Sequence, residues 1–560
     1  MSLIDPTTSA YAYPLLIKQL LHTPLCHAPE QEIVYRDLKR LSYRQLHERI
    51  GRLASGLAWL GIKLGDTVGV MDWDSHRYLE CFFAVPMMGA VLQTVNIRLS
   101  PDQVLYTLNH ASPTVLLVNA DFLPMLGTIK SQLTSVRKFV LITDAAAARE
   151  DRRSFDAEYE ELLAAHGPEY EFPDFDENVR ATTFYTTGTT GLPKGVYFSH
   201  RQLVLHSLAL LAGLAMPAQQ GRFHRDDVYM PITPMFHVHA WGNPYIATLM
   251  GVKQVYPGRY TPEMLLALKQ SEGASFSHCV PTILQMILNH PAAKDVDLRG
   301  WKIVIGGSAL PIGLAKQALE RGIDVFSGYG LSETCPALSL AQVKTRHLAA
   351  GADEEVAHRV KAGLPVPLVD LRVVDGQMRD VPHDGKTTGE VVARAPWLTR
   401  GYLWDPQASE SLWAGGYLHT GDIANIDQDG YLQITDRLKD VIKTGGEWIS
   451  SIDLEDILSR HPGVAEVAVI GVKDEKWGER PLALIVPTTG QSGAVAPAVL
   501  RDHVLGYVKR GIISKYAVPE QIIFVEALDK TSVGKLDKKL MREKYGAADA
   551  IRLWQGKAST

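Results

Sequence analysis

The sequence has few cysteines and no excess of charge of either sign. Only four of its 560 residues are cysteines, namely Cys26, Cys81, Cys279 and Cys335, and they lie far apart without a metal-ligand spacing. We therefore expect reduced thiols in a cytoplasmic protein. The formal net charge is −5, from 57 basic and 62 acidic residues, which argues against a nucleic-acid partner.

Long apolar runs and targeting segments are also missing. The strongest apolar stretch covers residues 203–216 and is interrupted by His206 and Ser207. Because it is shorter than the roughly 18 residues of a membrane span, it predicts a buried helix and no transmembrane segment. Residues 1–6 lack a basic segment followed by an apolar one, so no secretory signal is expected. No repeat of fixed period is evident either.

What the sequence does contain is a loop of small and hydroxyl-bearing residues at 186–195. Its backbone N–H groups and threonine hydroxyls are suited to wrapping a polyphosphate, and Lys194 adds a positive charge. The loop is not a Walker A motif, since Pro193 precedes Lys194 and Gly195 follows it. It therefore favours nucleotide-phosphate binding by another design, with a flexible surface turn as the alternative.

Apolar runs and glycine-rich segments alternate through most of the chain. Short buried strands are predicted at 67–71, 114–118, 138–142, 302–306 and 324–326, and a helix at 75–85. Repeated units of this kind predict an α/β fold of parallel sheets covered by helices. Ligands of such sheets gather at the carboxyl ends of the strands, and the glycine-rich segments fall at those ends.

The pattern changes after about residue 436. Residues 436–443 are charged and compact, Gly445 and Gly446 follow, and a helix is predicted at 449–460. Strands are predicted at 464–472 and 482–486. This last stretch of roughly 120 residues is long enough for a small α+β domain of its own. We place the domain boundary near residues 436–440.

Three shorter segments carry side chains that suit a nucleotide. Tyr329 could stack on a purine, Glu333 could hold a magnesium ion, and Thr334 could bond a phosphate oxygen. Asp422 follows a glycine, and a carboxylate there can accept from two ribose hydroxyls. Lys535 could be one of many solvated lysines. Taken singly, each segment is better explained as an ordinary turn or a solvated charge.

Taken together and in order, these segments resemble one superfamily across nearly the whole chain. That superfamily is the adenylate-forming acyl-CoA synthetases, which are related to luciferases and to peptide-synthetase adenylation domains. The sequence is most similar to bacterial medium- and long-chain fatty acyl-CoA synthetases and 3-methylmercaptopropionate-CoA ligases. The resemblance rests on residues 186–195, 235–241, 306–308, 329–334, 419–422, 436–440, 443–448 and 534–535.

The resemblance implies a fold and a two-step reaction. It implies a large adenylation domain of parallel sheets covered by helices, with a smaller β-subdomain, over residues 1–436. A small mobile α+β domain would follow over residues 437–560. A carboxylate would attack the α-phosphate of ATP to give an acyl-adenylate and pyrophosphate, and the CoA thiol would then release AMP. Mg²⁺ is the implied cofactor. The resemblance leaves the oligomeric state open, although related synthetases often form homodimers.

The resemblance also implies a role for each matching residue. Lys535, Lys443, His237, Thr186 and Glu333 would be catalytic, and Glu333 with Thr186 would hold the metal. ATP and AMP would be bound by Thr186, Thr187, Gly188, Thr189, Thr190, Lys194, Gly307, Ser308, Tyr329, Thr334, Asp422 and Arg437. His237, Trp241 and Gly330 would border the acyl group, whereas Lys443, Gly445, Gly446 and Trp448 would face CoA. The small domain would rotate about Lys439, withdrawing Lys535 between the two steps.

Several alternatives stay open at this stage. His237 and His239 have a spacing that a metal can use, but no nearby cysteine or acidic residue completes a site. Trp241 is either a gate to the acyl pocket or a core tryptophan. Transfer to a carrier protein, luciferase-like oxidation and non-catalytic binding compete with CoA ligation. Medium-chain fatty acids lead as substrates, ahead of long-chain, short thioether, branched and aromatic acids.

Overall fold

Two sheets of mostly parallel strands form the larger part of the computed structural model. The structure describes residues 4–144, 154–186, 192–218, 220–444, 447–474, 476–488, 496–531 and 535–546, with only the backbone at 447 and 448. The first sheet has the order β7-β6-β5-β3-β4-β8-β9 and is parallel except at β8–β9. Its strands are β3 Thr67–Met71, β4 Val91–Thr94, β5 Val115–Asn119, β6 Lys138–Ile142, β7 Ala157–Glu158, β8 Arg180–Thr186 and β9 Lys194–Ser199.

The second sheet has nine strands in the order β16-β15-β14-β13-β12-β10-β11-β1-β2. Its middle, from β14 to β1, is parallel, and antiparallel strands close both edges. The strands are β1 Glu32–Tyr35, β2 Lys39–Ser42, β10 Val228–Pro231, β11 Lys253–Tyr256, β12 Phe276–Cys279, β13 Lys302–Ile305, β14 Asp324–Gly330, β15 Ala337–Leu340 and β16 Leu364–Pro365.

Two smaller sheets follow along the chain. An antiparallel sheet contains β17 Asp370–Val374, β18 Gly389–Arg394, β19 Leu418–Ile426 and β20 Leu432–Arg437. The last sheet contains β21 Ile442–Thr444, β22 Glu447–Ile449, β23 Val464–Asp474, β24 Gly478–Pro487 and β25 Gln521–Phe524. The third sheet thus ends at Arg437 and the fourth begins at Ile442, on either side of a short turn.

Helices cover these sheets. Up to the third sheet they are α1 His22–His27, α2 Tyr43–Trp59, α3 His76–Met87, α4 Pro101–Ala111, α5 Leu123–Ile129, α6 Tyr159–Ala164, α7 His200–Ala215, α8 Asn243–Met250, α9 Pro262–Glu272, α10 Pro281–Asn289, α11 Ile312–Glu320, α12 Thr345–Ala349 and α13 Ala352–Arg359. Helix α14 Pro406–Leu412 lies between β18 and β19 of the third sheet, and beyond that sheet follow α15 Ser451–Ser459, α16 Pro497–Lys509 and α17 Lys538–Tyr545. No helix of the described part is long and apolar enough to cross a bilayer.

Helix α3 joins the two large sheets into one body. It packs against β1 of the nine-stranded sheet and against β3, β4 and β8 of the seven-stranded sheet, and all of its residues are buried. A fully buried helix must satisfy its polar side chains internally. Glu80 does so by accepting from Arg49 Nε at 2.7 Å and from the Tyr159 hydroxyl at 2.6 Å. Helix α3 therefore fixes the two large sheets relative to each other.

The α/β fold class is confirmed. For most predicted elements, the predicted ends lie within two residues of the observed ends. The strand predicted at 324–326 continues to Gly330 because its end pairs with β15. The helix predicted at 449–460 begins at Ser451, since Ile449 belongs to β22 and the Ser450 side chain caps the helix. The run at 203–216 is helical, but its exposed residues Leu208 and Met216 show that only one face is buried.

Candidate active site

A cavity of about 60 Å³ opens at the ends of β13 and β14. Gly306 and Gly307 follow β13, and Tyr329 and Gly330 end β14, so the glycine-rich ends of two parallel strands form one wall. This is where the α/β pattern predicts ligands. The remaining wall includes Leu210 and Leu214 of α7, His237, Val238 and Trp241, and the side chain of Lys535.

Lys535 reaches into this cavity from the C-terminal part of the chain. A Cβ atom placed on Gly307 would lie 2.9 Å from Lys535 Cε, which shows how closely the lysine side chain approaches this strand end. Gly307 also has a φ of 79°, which L-residues rarely adopt. Desolvation, with the positive charge of Arg437 nearby, lowers the pKa of the Lys535 ammonium to about 8. The lysine is thus held as a weakly hydrated group in the cavity wall.

His237 faces the same space. Desolvation and the neighbouring Lys535 and Arg98 charges lower its pKa to about 3, so its imidazole is neutral at physiological pH. A neutral ring can accept a hydrogen bond from a thiol or donate one to an acyl oxygen. His239, the other histidine of the pair, is buried among Phe82, Phe184 and other rings, away from the cavity wall.

The segment after His237 has an unusual backbone. Residues 238–241 all have positive φ, between 48° and 58°, so they form a left-handed turn without a glycine. Each such residue costs roughly 1–2 kcal/mol, and the surrounding structure must hold the turn in place. Met235 N–H donates to Asp74 Oδ1 at 2.7 Å, and Thr94 Oγ1 donates to the Phe236 carbonyl at 3.0 Å. The turn aims Trp241 at the cavity.

Trp241 is a wall of the cavity and is also packed against protein. Its ring lies 5.1 Å from the ring of His278, whose Nε2 is 2.8 Å from the Tyr229 hydroxyl. On the cavity side, a Cβ atom on Gly306 would come within 2.9 Å of the Trp241 ring. Only 9% of Trp241 is exposed. His278 and Tyr229 were not predicted, because β10 and β12 bring them beneath Trp241 from distant parts of the chain.

Three predicted nucleotide-binding residues lie in contact. The Tyr329 hydroxyl donates to Asp422 Oδ2 at 2.7 Å, and Arg437 Nε lies 3.4 Å from Asp422 Oδ1. Asp422 and Arg437 are directly opposite in the β19–β20 register, which explains why residues so far apart in sequence meet. Burial raises the pKa of the Asp422 carboxyl and Arg437 opposes the shift. This cluster can accept hydroxyl hydrogen bonds beside an aromatic face.

A second group surrounds the predicted metal residue Glu333. The Tyr402 hydroxyl donates to Glu333 Oε1 at 2.7 Å, and the Lys194 ammonium lies 4.5 Å from the centre of the Tyr402 ring. Thr186 is opposite Lys194 in the β8–β9 register, so its hydroxyl belongs to the same region. Tyr402 was missed by sequence reasoning because it is 69 residues from Glu333 and lies in a segment without a motif.

Three other predicted site residues have local partners. The Thr334 hydroxyl accepts from Leu331 N–H at 2.8 Å and donates to the Pro336 carbonyl, so it holds the shape of its own loop. Gly330 lines the cavity, and a Cβ there would lie 1.6 Å from the Pro336 carbonyl oxygen. Close backbone approach therefore requires this glycine. Ser308 is exposed.

The residues predicted to face CoA lie elsewhere or outside the described chain. Lys443 is exposed on β21, where its backbone N–H donates to Glu479 Oε2 at 2.9 Å, and it is not among the described residues that line the cavity. Thr187, Gly188, Thr189, Thr190, Gly445 and Gly446 lie outside the described residues, and so does the side chain of Trp448. The structure thus shows Lys535, not Lys443, at the cavity.

Comparison with known proteins assigns this arrangement to a family. Residues 25–403 match the model of the AMP-binding enzyme family, and residues 453–535 match that of the AMP-binding enzyme C-terminal domain. The chain is 42% identical over 524 residues to the long-chain-fatty-acid–CoA ligase of Thermus thermophilus, covering 92% of this chain and 93% of the relative. The chain belongs to the AMP-forming acyl-CoA ligases.

Other relatives of this ligase differ in the acid that their names give. The chain is 37% identical to the 3-methylmercaptopropionyl-CoA ligase of Ruegeria lacuscaerulensis, and the match covers 95% of this chain and 97% of that relative. It is 35% identical to the medium-chain-fatty-acid–CoA ligase of Ectopseudomonas oleovorans over 91% of each chain. The anthranilate CoA ligase AuaEII, solved with anthranoyl-AMP, shares the fold with a TM-score of 0.83 and 24% identity, covering 96% of this chain and 99% of that one.

Proposed function

We propose that this ligase activates a medium-chain fatty acid as its acyl-adenylate and then transfers the acyl group to CoA. The observation that carries the proposal is that Lys535 and His237 line the same cavity as the apolar side chains of Leu210 and Leu214. A carboxylate at Lys535 would direct its alkyl chain toward these leucines. The relatives named as medium- and long-chain ligases support the class of acid.

Each cluster of the site has one role in adenylation. Asp422 accepts hydrogen bonds from the ribose hydroxyls with Arg437 beside it, and Tyr329 lies against the adenine, along with Gly307 and Ser308. Lys194 and the 186–190 segment bind the outer phosphates, and Thr334 contacts the α-phosphate. Lys535 lies between the acyl carboxylate and the α-phosphate, where its charge offsets the repulsion between two anions. Its compact ammonium suits contact with both oxygens.

The oxygen atoms near Glu333 fit Mg²⁺. This ion prefers carboxylate, hydroxyl and phosphate oxygens, and the Glu333 carboxylate and the Thr186 hydroxyl supply the first two kinds. The Tyr402 hydroxyl occupies Glu333 Oε1 and orients the carboxylate. When bound, Mg²⁺ would neutralise phosphate charge. Lys194 lies over the ring of Tyr402, whose hydroxyl donates to Glu333. It therefore adds a second positive charge to this region.

The second half-reaction requires a different set of residues. In our proposal residues 1–436 form the adenylation domain, and residues 437–560 rotate as a small domain about Lys439. Rotation withdraws Lys535 and brings Lys443, Gly445, Gly446 and Trp448 to the cavity, where His237 borders the meeting point of thiol and acyl carbon. The exposed position of Lys443 in the present arrangement supports this order of events.

A panel of acids tests the substrate. With saturating ATP and CoA, AMP release is measured for butyrate, octanoate, hexadecanoate, 3-methylmercaptopropionate and benzoate. We expect the largest kcat/KM for octanoate, and AMP release that depends on CoA and is not supported by a holo-carrier protein. A maximum at hexadecanoate or benzoate would contradict the medium-chain assignment while leaving the ligase class intact.

A short thioether acid is the second candidate, for one reason. The cavity of about 60 Å³ has room for only about four to six water-sized groups, which suits a short chain without movement of the wall. The 37% identical relative named for 3-methylmercaptopropionate agrees with that size. A kcat/KM for 3-methylmercaptopropionate above that for octanoate would favour this candidate.

A further inference from the structure

A cluster of imidazole and carboxylate groups lies apart from the active-site cavity. His347 is on α12, and Glu354 and His358 lie one helical turn apart on α13. These helices pack against the turn between β19 and β20, which contains Asp429. None of these four residues lines the cavity, and adenylation and thioester formation as described here do not use them.

The ligand atoms of the cluster are spaced as in a tetrahedral metal site. One potential ligand atom each of His347, Glu354 and His358 lies within 4.8 Å of the others. Glu354 Oε1 is 3.1 Å from His347 Nδ1 and 3.5 Å from His358 Nδ1. Zinc bonds of roughly 2.0–2.1 Å in tetrahedral geometry put neighbouring ligand atoms about 3.3–3.4 Å apart. The two measured separations fall on either side of that value.

A carboxylate also lies where a metal-bound histidine needs one. His347 Nε2, the nitrogen that faces away from Glu354, is 2.8 Å from Asp429 Oδ2. Metal-bound histidines usually donate their second ring N–H to such a carboxylate, which fixes the ring and its tautomer. His347 and His358 are 9% and 5% exposed, so both rings are held by the surrounding protein.

Without a metal, hydrogen bonds and ring stacking hold the cluster. His358 Nδ1 is 2.9 Å from the Glu354 carbonyl oxygen, and the two imidazoles stack with centres 3.8 Å apart. His347 Nδ1 is also hydrogen-bonded to Glu354 Oε1. Metal binding would replace both hydrogen bonds by coordinate bonds, with the proton of His358 on Nε2, and would turn the stacked rings so that both nitrogen lone pairs converge on the ion. The Glu354 side chain is 44% exposed, so it is free to adjust. Arg346 pairs with Asp429 Oδ1, which leaves Oδ2 for His347, and its Nε is 3.4 Å from His347 Nε2. Lys361 pairs with Asp427 at 2.6 Å.

We propose that His347, Glu354 and His358 bind one Zn²⁺-class divalent cation, with Asp429 orienting His347 and water completing the tetrahedron. The metal would tie α12 and α13 to the β19–β20 turn. These two strands carry Asp422 and Arg437, so the cation would fix the third sheet against the body of the enzyme. This site differs from the Mg²⁺ position at Glu333, because imidazole ligands select a softer cation.

Calorimetric titration of the full chain with ZnCl₂ tests the proposal. The protein is treated with a chelator and titrated without ATP or Mg²⁺. We expect one Zn²⁺ per chain in the wild type and at least a tenfold loss of affinity in Glu354→Gln and in His358→Gln. Asp429→Asn should weaken binding by about 10–100-fold, as loss of an orienting carboxylate does. Zn²⁺ should raise the Tm of the wild type but not that of Glu354→Gln.

His503→Gln is the matched control. His503 and His461 form another close histidine pair, with ring centres 5.4 Å apart, and His503 Nε2 bonds the Ile457 carbonyl. This variant should bind Zn²⁺ as the wild type does. Absence of Zn²⁺ binding by the wild type would overturn the proposal, as would unchanged binding in Glu354→Gln and His358→Gln or an equal loss in His503→Gln. Because Glu354 is at the surface, its substitution tests the site without removing a core side chain.

Discussion

At the scale of single residues, the placement of Lys535 dominates the chemistry. Its ammonium lies beside Gly307 in a cavity where Asp422 and Glu333 contribute negative charge and Arg437 positive charge. Electrostatic interactions in such a poorly hydrated space are stronger than in water. The lysine can therefore act on a phosphate and a carboxylate together.

Lys535→Ala should abolish most of the adenylation activity. Removal of one positioned charge at a developing anion costs about 10²–10³-fold in rate, and acid-dependent pyrophosphate exchange measures that loss. Thiolation of pre-formed acyl-adenylate should change little, because the proposed rotation withdraws Lys535 before that step. Lys530→Ala is the control, since its ammonium pairs with Glu466 at 2.8 Å on the surface. Similar losses in both half-reactions would contradict the assigned role.

The pH dependence of adenylation should report the same lysine. With a pKa of about 8, Lys535 is charged below that pH and neutral above it. The kcat/KM for pyrophosphate exchange reports groups of the free enzyme, so it should fall about tenfold per pH unit above this pKa. His237, with a pKa of about 3, stays neutral over this pH range and therefore adds no second transition to the pH–rate profile near neutral pH. A flat profile between about pH 7 and 10 would argue against a catalytic ammonium.

Candidate site residues in distinctive motifs could be named from the sequence, whereas the residues that contact them in the structure could not. Asp422, Arg437 and Lys535 were predicted from short segments, and the structure brings them together. Tyr402 was not predicted, although it orients Glu333, because a tyrosine in an ordinary loop carries no signal. Likewise, His347 and Asp429 meet only because two helices pack on a distant turn.

At the scale of elements, regular structure was predicted well and irregular structure was not. Strands such as Thr67–Met71 follow directly from runs of apolar residues between turn signals. The left-handed turn at 238–241 has no such signal. Its residues include Val238 and Trp241, which disfavour positive φ, so its conformation depends on tertiary contacts such as Met235 with Asp74.

This turn places Trp241 in the wall of the cavity to which we assign the acyl group. Trp241→Ala should raise kcat/KM for longer acids relative to octanoate, while the KM for ATP changes little, because the ring faces Gly306 at the cavity. A panel of saturated acids measured at fixed ATP and CoA gives both quantities.

Trp301→Phe serves as the control for that variant. Trp301 is fully buried in a different cluster, where its Nε1–H donates to Ser277 Oγ at 3.0 Å, and its change should lower the Tm without altering the chain-length profile. If Trp241→Ala instead lowers activity equally for all acids and also lowers the Tm, Trp241 is simply a core residue.

At the scale of the whole molecule, the arrangement of the C-terminal part matters most. The turn between Arg437 and Ile442 connects it to the third sheet, and Leu438, Asp440 and Val441 donate the backbone hydrogen bonds of this turn. Arg542 of the last helix pairs with Asp440 at 2.6 Å. Lys535 lies in the cavity and Lys443 is exposed, which is the arrangement that our proposal assigns to adenylation. Sequence motifs could name these residues but could not show which of them faces the cavity.

Lys439→Pro should separate the two half-reactions. Proline fixes φ near −65° and restricts the preceding residue, so the turn would lose the freedom that rotation demands. Lys535 already lies at the cavity, and in our proposal ATP and acid bind mainly to the large domain, so pyrophosphate exchange should persist. CoA thioester formation should fall by orders of magnitude. Both rates are measured on one preparation, with a melting curve to detect general destabilisation.

Lys439→Ala distinguishes backbone freedom from side-chain charge at the same position. Alanine removes the ammonium but leaves the backbone free, so both half-reactions should survive if rotation is the essential property. A defect shared by the alanine and proline variants would instead assign the effect to the charge, which lies near Arg437, Asp440 and Arg542. Equal losses of exchange and thioester formation in the proline variant would contradict a hinge at Lys439. If only Lys439→Pro loses thioester formation selectively, the backbone at Lys439 must change conformation between the two chemical steps.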